Sequence, residues 1–321
     1  MRAITIAIGL NIAALAVRGD IVYVSSLGNH EVLRYDATTG DYIDTFITAA
    51  SGSLSQPHAV LERCDDILVA SFGNDRVLRY DRGTGAFIDV FIDSTTGLDN
   101  PVYLQYGPDG DLYVSSQGSD EILRYTTAGE FIDAFVGAGS GGLDGPSGFA
   151  FGPDGRLYVA GRFSANVLAY NGATGAFDEV IADSADGLGA GNTFGLNFGD
   201  NGDLYFVSNG SVFRYDLDTA SIVATIPVGG AIGIEPGPAG DIFVAAANNL
   251  RILDTGDNSV SGPFLSGGTI NTLNFFRFAP PPGCTPEQAP AVSSWGALIL
   301  AIAMLAVGTI LACRVAVRRS V

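Results

Sequence analysis

The stretch DLYVSSQGSDEILRY, residues 111–125, carries two apolar runs about a Gly-Ser-Asp break, and it does not stand alone. Related phrases read DIVYVSSLGNHEVLRY at 20–35, DILVASFGNDRVLRY at 66–80, RLYVAGRFSANVLAY at 156–170 and DLYFVSNGSVFRY at 203–215. Their closing residues, Tyr35, Tyr80, Tyr125, Tyr170 and Tyr215, are spaced 45 apart. A sixth copy, DIFVAAANNLRIL at 241–253, ends on Leu253 after 38. Self-similarity at a period of this size marks a repeat architecture, each repeat being one supersecondary unit.

Outward from 111–125, the unit divides into four runs: VYLQY at 102–106, DLYVSS at 111–116, EILRY at 121–125 and FIDAF at 131–135. Turn phrases stand before several copies: GPDG at 107–110 and 152–155, GDNG at 199–202 and GPAG at 237–240. Gly and Asn there supply positive φ, and Asp bonds its own backbone. Such runs predict strands of an antiparallel sheet. One such sheet cannot cover both its apolar faces, whereas sheets set radially about an axis cover one another. The predicted fold is all-β: a six-bladed β-propeller of four-stranded antiparallel blades over 17–278. Inner strands fall at 58–62, 102–106, 147–151, 193–198, 231–235 and 272–278. The unit starting near Asp20 lacks an inner strand, and 272–278 lacks outer partners. Placing 272–278 inside 20–46 closes the ring.

Composition narrows the function classes. All 16 basic residues are Arg, against 34 acids, for a net charge of −18. A surface this acidic repels a phosphate backbone, which excludes nucleic acid as a partner. Many of the acids, such as Asp36, Asp81, Asp216 and Asp254, stand where turn geometry calls for them. Two His and three Cys, with no CxxC, do not supply a structural zinc site. The sequence contains no GxSxG turn, Walker loop or HExxH.

Both ends of the chain are apolar. In 1–16, Arg2 precedes an uncharged stretch ending Ala14-Leu15-Ala16, the outline of a secretory signal peptide. The run at 12–17 also suits a buried strand. Trp295 to Cys313 is 19 residues without a charge. As a helix it is roughly 28 Å long, about the thickness of a hydrocarbon core. This predicts a transmembrane helix at 295–313. Arg314, Arg318 and Arg319 then place the basic tail, 314–321, in the cytoplasm and the body of the protein outside. Residues 279–294, APPPGCTPEQAPAVSS, form a Pro-rich linker.

Two resemblances follow. Pro290, Ser293, Trp295 and Gly296, then the apolar span and Arg cluster, resemble the Ile-Pro-Thr-Leu type of bacterial C-terminal sorting signal. That type is related in plan to Pro-Glu-Pro signals. Ala291, Val292 and Ser294 depart from its usual Thr, Leu and Glu. The resemblance implies an exported protein held in a membrane of the cell envelope, with an exosortase-type sorting protease as partner. The phrase PSGFAFGPDGRLYVA at 146–160 is similar to the NHL-type repeat. It is also similar to the six-bladed group with gluconolactonase-like, virginiamycin-lyase-like and peptide-amidating-lyase propellers. In an exported chain Cys64 and Cys284 can oxidise. Ring closure puts them at the same end of adjacent blades, so a Cys64–Cys284 disulfide is expected.

Aligning the inner strands on the Asp or Arg that follows each gives a register of His58, Tyr103, Gly148, Gly195 and Gly233. A second register reads Val60, Gln105, Ala150, Asn197 and Glu235. Between them, Ala59, Leu104, Phe149, Leu196 and Ile234 read as blade-to-blade core. Lyase-type relatives place metal-binding His at inner-strand starts of several blades, whereas this register holds His58 alone. Gluconolactonase-like relatives hold a divalent cation on a Glu, Asn and Asp set. Gln105, Asn197 and Glu235 are a thin version of it, with oxygen donors that suit Ca²⁺ or Mg²⁺. His58, Tyr103 and Arg162 are the candidates for ligand binding at the channel mouth. His30, in a Gly28-Asn29-His30 turn, reads as a solvated loop residue. Two functions fit: a non-enzymatic module that binds a protein or glycan, and a secreted divalent-metal-dependent lyase or lactonase. The lack of an assembled catalytic set favours the first.

Overall fold

The computed structural model describes residues 21–237 and 240–278. They form six four-stranded antiparallel sheets. Blade two, for example, runs outward from the axis as Pro57–Glu62, Asp66–Ser71, Arg76–Asp81 and Phe87–Ile92. Blades three to six repeat this order, blade six with an outer strand of two residues, Val260–Ser261. Blade one is assembled from both directions. Leu273–Phe278 lies innermost, antiparallel to Ile21–Ser26, with Val22 opposite Phe278 and Val24 opposite Phe276. The expected closure is present.

Among the described residues no helix is long and apolar enough to cross a membrane. The expected signal peptide 1–16, linker 279–294, span 295–313 and tail 314–321 lie outside them, as do Cys284 and the sorting residues Pro290, Ser293, Trp295, Gly296, Arg314, Arg318 and Arg319.

The periodic tyrosine has a specific task. Its ring is buried in the blade, and a buried hydroxyl must find a partner. In four of the five copies it finds one in the link that enters its own blade. Tyr80 donates to the Ser51 carbonyl (2.8 Å), Tyr170 to that of Ser140 (2.8 Å), and Tyr35 to that of Gly267 (3.3 Å). Tyr125 pairs with the Thr96 hydroxyl at 3.0 Å. The links before blades two to five hold short 3-10 turns. The link from blade five to blade six, between Ser221–Pro227 and Ala231–Pro236, is only three residues long. That is where the repeat shortens to 38. No turn stands there to accept a hydroxyl, and Leu253 replaces Tyr, fully buried.

The other repeated residues also pair within or between blades. Arg34 faces Asp44, Arg79 faces Asp89 and Arg124 faces Asp133 across the two outer strands, each as an ion pair. Asp36 Oδ1 accepts from the amides of Thr38 and Thr39, and Asp216 Oδ1 from those of Asp218 and Thr219. Much of the acidic excess is therefore turn chemistry and cross-strand pairing.

His30 departs from the solvated-loop expectation. Its Nδ1 accepts the Gln56 amide at 2.9 Å, just before Pro57 of the next blade. Asp75 and Asp120 hold the Asn100 and Gly145 amides in the same way. All three have positive φ at the same hairpin position. The side chain is a clamp between blades.

Candidate functional site

Strand pairing sets which side chains face the channel. Leu104 lies opposite Val114, Phe149 opposite Val159, Leu196 opposite Phe206, Ile234 opposite Val244 and Phe276 opposite Val24. In blade two the corresponding pair is Val60 and Val69. The register read from sequence is thus displaced by one residue in blade two. The cause is its first hairpin, where the Arg63 amide bonds the Asp66 carbonyl; the equivalent bond in blade three spans Gly107 to Asp111. The blade-two turn is one residue shorter, so counting back from Asp66 overshoots. Ala59, not His58, is the counterpart of Tyr103, and Leu61, not Val60, that of Gln105. Val60 belongs to the blade-to-blade core.

Corrected, one channel layer holds Ala59, Tyr103, Gly148, Gly195, Gly233 and Phe275. A second holds Leu61, Gln105, Ala150, Asn197, Glu235 and Arg277. Blades four to six close tightly in the first. A Cβ on Gly148 would stand 2.9 Å from the Gly195 Cα, and one on Gly195 would stand 3.1 Å from the Gly233 Cα. Aromatic rings fill the opposite side, where Tyr103 meets Phe149 at 5.4 Å and Phe275 at 5.7 Å between centroids.

The second layer centres on Glu235, which is 4% exposed. Tyr103, from the opposite blade, donates its hydroxyl to Oε1 at 2.7 Å. Asn197 Nδ2 donates to Oε2 at 3.1 Å, and Arg277 Nη1 lies 3.5 Å from the same oxygen. The structure thus brings together Tyr103, Asn197 and Glu235, three of the residues singled out by sequence. Gln105 shares the layer and buries its Oε1 without a partner. Tyr103 is turned into the channel, below its mouth.

These residues fit a divalent cation poorly. Gln105, Asn197 and Glu235 include one carboxylate, and Arg277 already supplies it with positive charge. A dication would sit against a guanidinium, where like charges repel. Among the described residues no group of three or more His, Cys, Asp or Glu is placed to hold a metal ion.

The channel end reached by the second-to-third-strand hairpins carries a different cluster. Arg162 donates from Nη1 to Gln117 Oε1 at 3.2 Å, and from Nε to the Gly191 carbonyl at 3.4 Å. Its guanidinium lies 4.8 Å from the Phe194 ring and 5.3 Å from Phe163. Among the described residues it has no carboxylate partner, and burial lowers its pKa. His58, Ser147 and Gln117 begin inner strands or hairpins at this end, and all are buried. His58 Nδ1, Ser147 Oγ and Gln117 Nε2 have no hydrogen-bond partner. The His58 ring stacks on Phe72, with centroids 4.5 Å apart. The opposite face has a pocket of about 460 Å³, lined in part by Cys64, Asp65, Asp66, Asp109 and Asp111.

His58 should leave a mark on stability. Burial, with the nearby Arg162 charge, lowers its pKa from 6.5 to about 3. Between those values the unfolded chain binds a proton there and the folded chain does not. Stability from this group is therefore complete above pH 6.5 and is lost as pH falls through the window. From pH 7 to pH 5 the loss is about 2 kcal/mol. Urea unfolding at both pH values should show that much more pH sensitivity in the wild type than in His58→Gln. Equal sensitivity would refute a buried neutral imidazole.

Comparison with known proteins adds the fold's wider company. No protein-family model matches the chain, and no curated protein matches its sequence. Solved structures do. A chain of a nidogen/laminin complex matches with a TM-score of 0.65 at 14% identity, over 80% of this chain and 97% of that one. A virginiamycin B lyase from Staphylococcus aureus matches at 0.55 and 15%, over 75% and 79%. A streptogramin B lyase matches at 0.56 and 15%, over 78% and 85%. The likeness is one of fold. It spans lyases and a chain from a protein–protein complex, so it does not select between chemistry and binding.

Sequence reading missed Arg277 and Phe275, the closing strand's members of the two layers. Setting TLNFFRF against the other inner strands supplies both. It also missed Gln117 and Ser147, which no motif marks.

Proposed function

We propose that the chain is an exported binding module that takes its partner at the Arg162 end of the channel. Residues 295–313 hold it in a membrane of the cell envelope, and the linker 279–294 stands it off the surface. The observation that carries this reading is where polar capacity is spent. In the channel, Glu235 is engaged by Tyr103, Asn197 and Arg277, and Gln105 Oε1 is the one buried polar side-chain atom of that layer left without a partner among the described residues. At the mouth, buried donors and acceptors face no partner. A buried polar atom without a bond costs about 1–3 kcal/mol, which a partner at that end would recover.

The test has two arms. Fractionated cells should yield the full chain in the membrane fraction. The detergent-purified full chain should sediment saturably with cell-wall material. Recovery in the cytosol alone, or sedimentation that never saturates, would overturn the reading.

A second reading is a divalent-metal-dependent lyase or lactonase. The shared fold of two lyases and the contact of Asn197 with Glu235 favour it. It requires stoichiometric metal in the purified protein, lost on Glu235→Gln. The Arg277 contact favours the binding reading.

A further inference from the structure

We infer that the Arg162 mouth is a site for a uronic-acid sugar, with the carboxylate on the guanidinium and the pyranose ring on Phe163. The inference rests on the binding reading above and names the ligand class of that site.

Arg162 is held in place. Nε and Nη1 are fixed by Gly191 and Gln117, and the guanidinium lies against two aromatic rings. Nη2 makes no hydrogen bond among the described residues. A planar guanidinium held with donors to spare suits a carboxylate, which accepts paired N–H groups. Aromatic packing holds the fork's plane, so less freedom is lost on binding.

Phe163 supplies the second element. It is 46% exposed, immediately beside Arg162. Its ring packs against Gly145, where an added Cβ would stand 2.3 Å from Cδ2. A half-exposed aromatic ring packed on Gly145 beside a cation offers one surface for sugar C–H groups and one for the acid. Gln117 Nε2, Ser147 Oγ and His58 Nδ1 are each more than nine-tenths buried and unpartnered at this end. They add neutral hydrogen-bonding atoms suited to hydroxyl groups.

Net charge limits ligand size. At −18 the chain repels an extended polyanion. A single residue or a short oligosaccharide with isolated carboxylates meets the local cation without that cost.

Calorimetry on the detergent-solubilised full chain tests the inference, with glucuronate, glucose, acetate and inorganic phosphate as probes. Glucuronate should bind at least tenfold more tightly than the other three. Arg162→Gln should weaken it at least tenfold, since hydrogen bonds to a charged group are the strong ones. Phe163→Ala, at an exposed side chain that leaves the core intact, should weaken it several-fold, and thermal unfolding provides the folding control. Should Arg162→Gln fail to fold, Arg162→Lys takes its place, keeping the charge and losing the fork. Equal binding of glucose, acetate or phosphate would overturn the inference, as would undiminished binding in the Arg162 or Phe163 variants. Saturable cell-wall binding without glucuronate binding overturns the sugar assignment alone. Loss of both overturns the binding reading too.

Discussion

Replacing Phe276 with alanine should cost about 3–5 kcal/mol, the range for a buried phenylalanine. Phe276 is 2% exposed and packs with Val22, Val24, Leu33 and Phe243 in the cluster that ties the first blade to the sixth. The loss falls on the strand that joins the two ends of the propeller, and the bridge of Asp41 to Ser266 at the outer side of the same blade does not replace its buried apolar contacts. Phe177 makes the comparison. It lies on an outer strand with 42% exposure, and its truncation should cost about 1 kcal/mol or less. Urea midpoints of the two variants, read with the slope, give both numbers. A Phe276→Ala midpoint no lower than that of Phe177→Ala would contradict closure by the final strand.

Glu235→Ala should be comparably severe, at about 3–5 kcal/mol. The substitution removes the carboxylate addressed by Arg277, Asn197 and Tyr103 together. Those donors would then be in a channel where Tyr103 is 3% exposed. Replacing Glu235 and Arg277 together by Met should recover part of the loss, because a buried ion pair exchanged for apolar volume is often neutral, while Tyr103 and Asn197 still lack their acceptor. Guanidinium denaturation of the wild type, both single variants and the double variant measures the coupling. A near-additive cycle would show that the pair does not act as a unit. Added Ca²⁺ should leave the wild-type melting temperature unchanged; a clear rise would favour a metal in the channel.

The blade count, strand order and ring closure were legible because each arises from burial repeated at one spacing. Tyr80 and Tyr125 announce their blades, and the orphan run 272–278 has one vacancy to fill. The channel was harder. A one-residue difference in the Glu62–Asp66 turn leaves its type of hairpin recognisable, yet it moves His58 from the channel register to the mouth. Period-two strands turn such a slip into a change of face. Arg277 was hidden for a different reason: no turn phrase follows it to count back from. The hydroxyl targets of the tyrosines, and the clamp made by His30, join residues of different repeats, and local pattern does not report such contacts.

The pairing of Val22 with Phe278 makes the order of blades along the chain a matter of where the backbone happens to be interrupted. A short peptide joining those neighbours would leave a covalent circle. Cutting it in the exposed turn between Ala173 and Thr174 would move the seam to the fourth blade. The same hydrogen-bond ladders would then be assembled from a permuted gene.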